Sequence, residues 1–322
     1  MKTPIAAQAA STGTARSNSS NPIGAALLFL LITAVSSGCS LKSIAVDAVA
    51  DAIAGSGAGY ASDNDVVFVG AASPFGLKTT EGLLEEVPEH RGLLLAAARG
   101  FTQYAYVYIE QPANEIESID VGFAYAERAR ARNMYVRARD YGLRGLEVDH
   151  PEVMNAIYID PDKALSQTTV DDVPFLYWTA AAWGSAISLS KDDPALIADL
   201  PTVEALIGRA YVLDESFDAG AIHVFLISYE MSQSGLREDA AARARQHFDR
   251  ALELSDRHQA APYVAFAEAV TIAEQDKTEF KGMLDQALAI DVDAKPEWRL
   301  ANLVMQRRAR WLLVHSDDLF LE

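Results

Sequence analysis

The stretch ARQHFDRALEL, Ala244 to Leu254, decides the fold. Ala244, Phe248, Ala251 and Leu252 recur at three- and four-residue steps, so they share one face of a helix. That face mixes small and large side chains. A small residue lets a neighbouring helix come close, and a large one fills the gap left beside it. The same arrangement returns in ARDYGLRGLEV (138–148), with Ala138, Gly142, Gly145 and Leu146. It returns again in FKGMLDQALAI (280–290), with Phe280, Leu284, Ala287 and Leu288. Each copy follows a stretch able to serve as its partner helix, at 93–109, 220–231 and 262–273.

Working outward, the rest of the chain keeps the helical period. In RGLLLAAARGFTQYAYVYIE (91–110), Leu94, Ala97, Phe101, Tyr104 and Tyr108 form one stripe. In the last long segment, Leu300, Leu303, Val304, Trp311 and Val314 form an apolar stripe, with Asn302, Gln306 and Arg310 as a polar one. Pro88, Pro112, Pro151, Pro174, Pro201, Pro262 and Pro296 mark helix starts or breaks. Only DVVFV (65–69) reads as a candidate strand. The expected fold is therefore all-α, an α-α superhelix of degenerate tetratricopeptide-like helical hairpins. LYWTAAAWGSAISLS (176–190) carries no charge, but is too short to span a bilayer. Leu176, Ala180, Trp183 and Ile187 share a face of what reads as a central helix of the stack.

The N-terminal region is different. IGAALLFLLITAV (23–35) is apolar, yet at about 1.5 Å per residue it reaches only about 20 Å. It reads as the core of a signal peptide, and SSGCS (36–40) follows it. Cys39 is the single cysteine of the chain, so no intramolecular disulfide or thiolate metal site can form. Its position resembles that of the lipid-modified cysteine in a bacterial lipobox, with Ser36 where Leu is usual. The expected order is a signal peptide at 1–38, a lipidated N-terminus and flexible tether at 39–64, and one helical-repeat domain at 65–322. The formal net charge is −18, and residues 1–38 contribute Lys2 and Arg16 but no acid, so a processed chain is more negative still. Such a surface repels phosphate, which argues against nucleic acid as a partner.

Catalytic patterns are missing from the sequence. The six His make no HExxH motif, and SLSK (188–191) lacks the partner motifs of serine acyl-enzymes. No enzyme activity, cofactor or metal site is expected. The binding candidates are His223 with Glu230, two turns apart on one helix; Phe101, Tyr104 and Tyr108; Trp178 and Trp183; and the amides Asn302 and Gln306. For each, packing or capping is the competing structural reading.

Several blocks together resemble a known family: LLLAAARGFTQYAYVYIE (93–110), VPFLYWTAAAWGSAISLSKDDPALIADLP (173–201), FDAGAIHVFLISYE (217–230), ARARQHFDRALELS (242–255), and RLANLVMQRRARWLL (299–313) with DDLF (317–320). They are similar to the T component of tetratricopeptide-associated TRAP transporters, TatT-like periplasmic lipoproteins. The resemblance implies a helical-repeat protein held in the periplasm by a lipid anchor; Ser40 after the cysteine makes the outer membrane the expected side. It also implies association with the substrate-binding P subunit, a homotrimer, and a small organic acid or apolar ligand. A lipid-anchored scaffold for outer-membrane or secretion-complex assembly is the competing function.

Overall fold

The computed structural model describes residues 46–190, 192–232, 235 and 239–321. The signal-peptide reading and Cys39 lie outside these residues. The described chain is helical, and no strand occurs in it. The longer helices are α1 (Val66–Glu86), α2 (Arg91–Ala105), α3 (Val121–Asp149), α4 (Val173–Ser188) and α5 (Leu200–Leu213). They continue as α6 (Phe217–Ser232), α7 (Ala240–Leu254), α8 (Ala261–Phe266), α9 (Lys277–Ala289) and α10 (Arg299–Val314). Residues 46–54 and Gly57–Ala61 are also helical, within the segment expected to be a flexible tether.

The candidate strand at 65–69 opens α1 instead. The Asp65 carboxylate accepts from the N–H groups of Val67 and Phe68, which otherwise have no partner at a helix start. His90, Asp120 and Asp276 cap α2, α3 and α9 in the same way. Pro174, Pro201 and Pro262 stand in the first turns of their helices, where no N–H is needed. Pro112 does not end its helix. A π-helical segment, Tyr106–Glu110, continues α2 and runs on into the helix Gln111–Ile116. Pro112 has no N–H for the turn before it, and its ring crowds the carbonyl four residues back, so the widened turn lies where a regular one would be disrupted. A second π segment, Ala267–Thr271, extends α8.

Adjacent helices pair: α2 with α3, α4 with α5, α6 with α7, and α8 with α9. Alternate helices also pack on one another, α2 on α4, α4 on α6, α6 on α8 and α8 on α10. Glycines make the closest approaches. A Cβ on Gly145 would run into the Phe175 ring, and one on Gly142 into the Thr179 hydroxyl. The face named in Ala244–Leu254 is buried at Ala244, Phe248, Ala251 and Leu252. Among the described residues three apolar clusters result: one built mainly on α1–α5 and ending at Ile222, one beginning at Ile227 and running to α10, and a small one of Ala105, Ile109, Ala131, Tyr135 and Ala186.

The first and last parts of this unit meet. Arg299 Nη1 donates to the Ser62 carbonyl at 2.8 Å, and Arg307 Nη2 donates to the Val107 carbonyl at 3.1 Å. On α10 the expected stripes are redistributed. Val314 is 79% exposed, whereas Asn302 and Gln306 are buried. The amides face neighbouring chain ends. Asn302 Oδ1 accepts from Ala260 N–H at 2.9 Å, and its Nδ2 donates to the His258 carbonyl at 2.9 Å. Gln306 Nε2 lies within donating distance of the carbonyls of Ala287, Leu288 and Ile290. Helix ends leave such groups open, so a buried amide there is better solvated by backbone than a methyl group would be.

Candidate functional site

The two π segments bring a polar cluster together inside the row of alternate helices. Tyr106 and Glu110 come from the first segment and Glu268 from the second. Tyr106 lies deep enough that burial drives its hydroxyl pKa up, with the Glu268 and Glu110 carboxylates adding to the rise. Burial also raises the Glu110 carboxyl; the hydrogen bond from Tyr135 opposes this and nearby Glu268 adds to it. Both Tyr106 and Glu110 nevertheless keep some accessible surface. The cluster is therefore desolvated without being sealed from the surface.

The supports of this cluster are built in. Tyr135 of α3, fully buried, donates to Glu110 Oε2. Arg308 of α10 places Nε at 2.9 Å and Nη2 at 2.6 Å from one oxygen of Glu268, and its guanidinium lies 4.6 Å from the centre of the Trp311 ring. Arg307 Nη2 reaches Gln111 Oε1 at 3.2 Å. Gln111 Nε2, Glu115 Oε1, Arg307 Nε and Arg308 Nη1 are buried without a hydrogen-bond partner. The Gln111 amide lies beside the Tyr106 hydroxyl without making a well-formed hydrogen bond to it.

An aromatic wall adjoins this pole. On α4, Trp178, Ala181 and Ser185 share a face and are all half-buried, and Ser185 reaches Tyr135 at the polar end. Tyr177 meets the Trp178 ring edge-on at 5.0 Å, and Arg99 of α2 lies 5.8 Å from the Trp178 ring centre. Burial, then nearby Asp218, push the Tyr177 hydroxyl up, yet that side chain also keeps accessible surface. Phe225 of α6 packs where Gly184 has no side chain and stacks on Tyr229 at 6.0 Å.

The candidates read from the sequence are dispersed. Phe101 is 2% exposed and stacks on Tyr141 at 5.9 Å. Tyr108 donates to the Val66 carbonyl at 2.8 Å, its ring lying over Gly70, and Tyr104 packs beside it at 5.5 Å. Trp183 is fully buried, with Nε1 donating to Asp199 at 3.2 Å.

His223 and Glu230 have separate partners. His223 Nδ1 lies 3.0 Å from His247 Nδ1, and Glu230 accepts from Arg243 Nε at 2.7 Å. Tyr211 sets its ring edge-on to His223 at 5.5 Å. Glu215 Oε2 stands 3.5 Å from His223 Nε2, and Arg250 Nη2 holds Glu215 at 2.5 Å. Burial, reinforced by His247, depresses the His223 pKa to about 4, and burial lowers that of His247 too. One neutral ring donates and the other accepts. Asp218, Ala219 and Gly220, just before, take left-handed backbone conformations.

Tyr106 belongs to the aromatic run 101–108 noted from the sequence, but Glu110, Gln111, Glu268, Arg307 and Arg308 were not singled out from it. They are scattered over two hundred positions, and no spacing rule links them; a π turn before Pro112 was the one local signal. Among the described residues no group of three or more His, Cys, Asp or Glu is arranged to hold a metal ion, and no helix is long and apolar enough to cross a membrane.

Comparison with known proteins gives two matches. Residues 62–320 match the family model of the TRAP transporter T-component. An uncharacterized protein of Treponema pallidum (strain Nichols) is 27% identical over 303 residues, which cover 88% of this chain and 94% of that protein.

Proposed function

The chain belongs to the TRAP transporter T-component family, and from that premise we propose that it is a non-enzymatic accessory subunit that docks the substrate-binding P subunit. The observation that carries this reading is the family match over nearly the whole described helical unit. The packing of alternate helices supports a superhelix of tetratricopeptide-like hairpins. In this reading ligand held by the P subunit reaches the aromatic wall at Trp178 and Tyr177, and the polar pole fixes its orientation. The chain works in the periplasm, tethered through lipidated Cys39. A homotrimer would cover apolar side chains such as Val67, Phe68, Phe75, Ile119 and Val121, each more than half exposed in the single chain.

Affinity purification of the tagged chain from periplasm should recover a TRAP P subunit. Repeated recovery of assembly-machinery proteins instead would favour the scaffold function and overturn this one. Cys39→Ala should move the chain from the membrane fraction to the soluble fraction; a lipid anchor supplies about 0.8 kcal/mol per buried methylene, and the variant loses all of it. Unchanged membrane fractionation of the variant would exclude the anchor.

A further inference from the structure

The turn that opens α6 is strained, and a neighbouring helix holds it. Asp218 (φ 46°) and Ala219 (φ 52°) lie in the left-handed region, which is costly for residues that carry a β-carbon, and Gly220 (φ 99°) follows them. Such a turn persists where packing imposes it. Here α7 does so: a Cβ on Gly220 would stand 3.1 Å from the Ala251 Cα. The helix α6 also joins the two large apolar clusters, with Ile222 in the first and Ile227 in the second. A displacement of α6 against α7 therefore changes how the two clusters are set.

A pair of imidazoles braces this junction. His223 follows Gly220 on α6, and His247 lies one turn before Ala251 on α7. Their Nδ1 atoms, 3.0 Å apart, share one hydrogen, so one of the two nitrogens must be bare. Tyr211 of α5 sets its ring edge-on to both, at 5.5 and 6.4 Å. The charges that face the pair are already matched. Glu215, before the turn, is held by Arg250, which also serves Glu253, and Glu230 of α6 is held by Arg243. Glu215 Oε2, 3.5 Å from His223 Nε2, can offset one added proton. A second proton puts hydrogens on both Nδ1 atoms, which removes the bond and leaves two cations in contact.

We infer that the His223–His247 pair is an acid-sensitive brace. Protonation of both rings parts α6 from α7 at this end, releases the turn at 218–220, and loosens the second apolar cluster from the first while the first stays folded. The device needs neither ligand nor partner, so it stands apart from the transport reading.

Hydrogen exchange of the purified full chain at pH 7 and pH 4, followed by mass spectrometry and corrected for the chemical rate, tests this. Residues 214–224 and 243–251 should open about 100-fold more readily at pH 4, the shift expected for one histidine whose pKa falls from 6.5 to about 4 on folding. Residues 93–105 and 138–146 should keep their protection. Imidazole titration by NMR should show both rings gaining protons over the same range as the opening. The double substitution His223→Gln, His247→Gln should hold the protection of 214–224 constant between the two pH values. Unchanged exchange at 214–224 in the unsubstituted chain, or a loss spread evenly over all four segments, would overturn the inference. So would the same acid loss in the double variant. If that variant fails to fold, the unsubstituted chain decides: local opening while both rings are still neutral would sink the idea.

Discussion

At the scale of single residues, two positions carry most of the testable physics. Gly145 faces the Phe175 ring with no room for a β-carbon. Gly145→Ala should therefore destabilise the protein by about 1–3 kcal/mol through overpacking, although alanine is the better helix former. Urea unfolding measures this, and a stabilised variant would mean that α3 and α4 are further apart than described. His223 makes a prediction about pH. Its folded pKa of about 4 lies below the ordinary 6.5, so the unfolded chain binds a proton more readily. The stability this withholds on acidification is present above pH 6.5 and lost progressively as pH falls towards 4. His223→Gln should flatten the melting temperature between those limits; an equally steep curve in the variant would assign the acid sensitivity to other groups.

At the scale of the element, α10 shows how polar side chains can hold repeats together. Asn302 and Gln306 are one turn apart and face the unfinished backbone of the segments before α8 and after α9. Asn302→Leu and Gln306→Leu should each cost about 1–3 kcal/mol, because they strand buried N–H or C=O groups that no water replaces. Denaturant midpoints test this, with Arg310→Leu on the exposed side of the same helix as the near-neutral control. The helix α10 itself was legible from its period. Which of its stripes faces inward was not, because apolar and amide residues both satisfy a buried face when chain ends lie opposite.

At the scale of the whole molecule, side chains of the last long helix reach back to the first part of the described unit. Arg299 ties α10 to Ser62, and Arg307 ties it to the π segment after α2. Arg299 also pairs with Asp293 at 2.8 Å. Partly exposed contacts of this kind contribute about 0–1 kcal/mol, so Arg299→Ala should leave global unfolding nearly unchanged. Hydrogen exchange should nevertheless quicken at residues 57–62, whose anchorage depends on that contact. Protection unchanged there would show that the first and last segments are held by other contacts.

The sequence alone settled the helical class, because a period near 3.6 acts within a turn or two of chain, and small residues such as Gly142 and Ala251 marked where helices come close. It also carried the blocks by which the family resemblance was seen. The polar cluster was decided by tertiary structure. Glu110, Glu268 and Arg308 become neighbours only when α2, α8 and α10 are stacked, and a charge exposed in one helix becomes a desolvated partner in the assembled row. Such electrostatics depend on distance through space and on excluded water, neither of which is written in residue spacing.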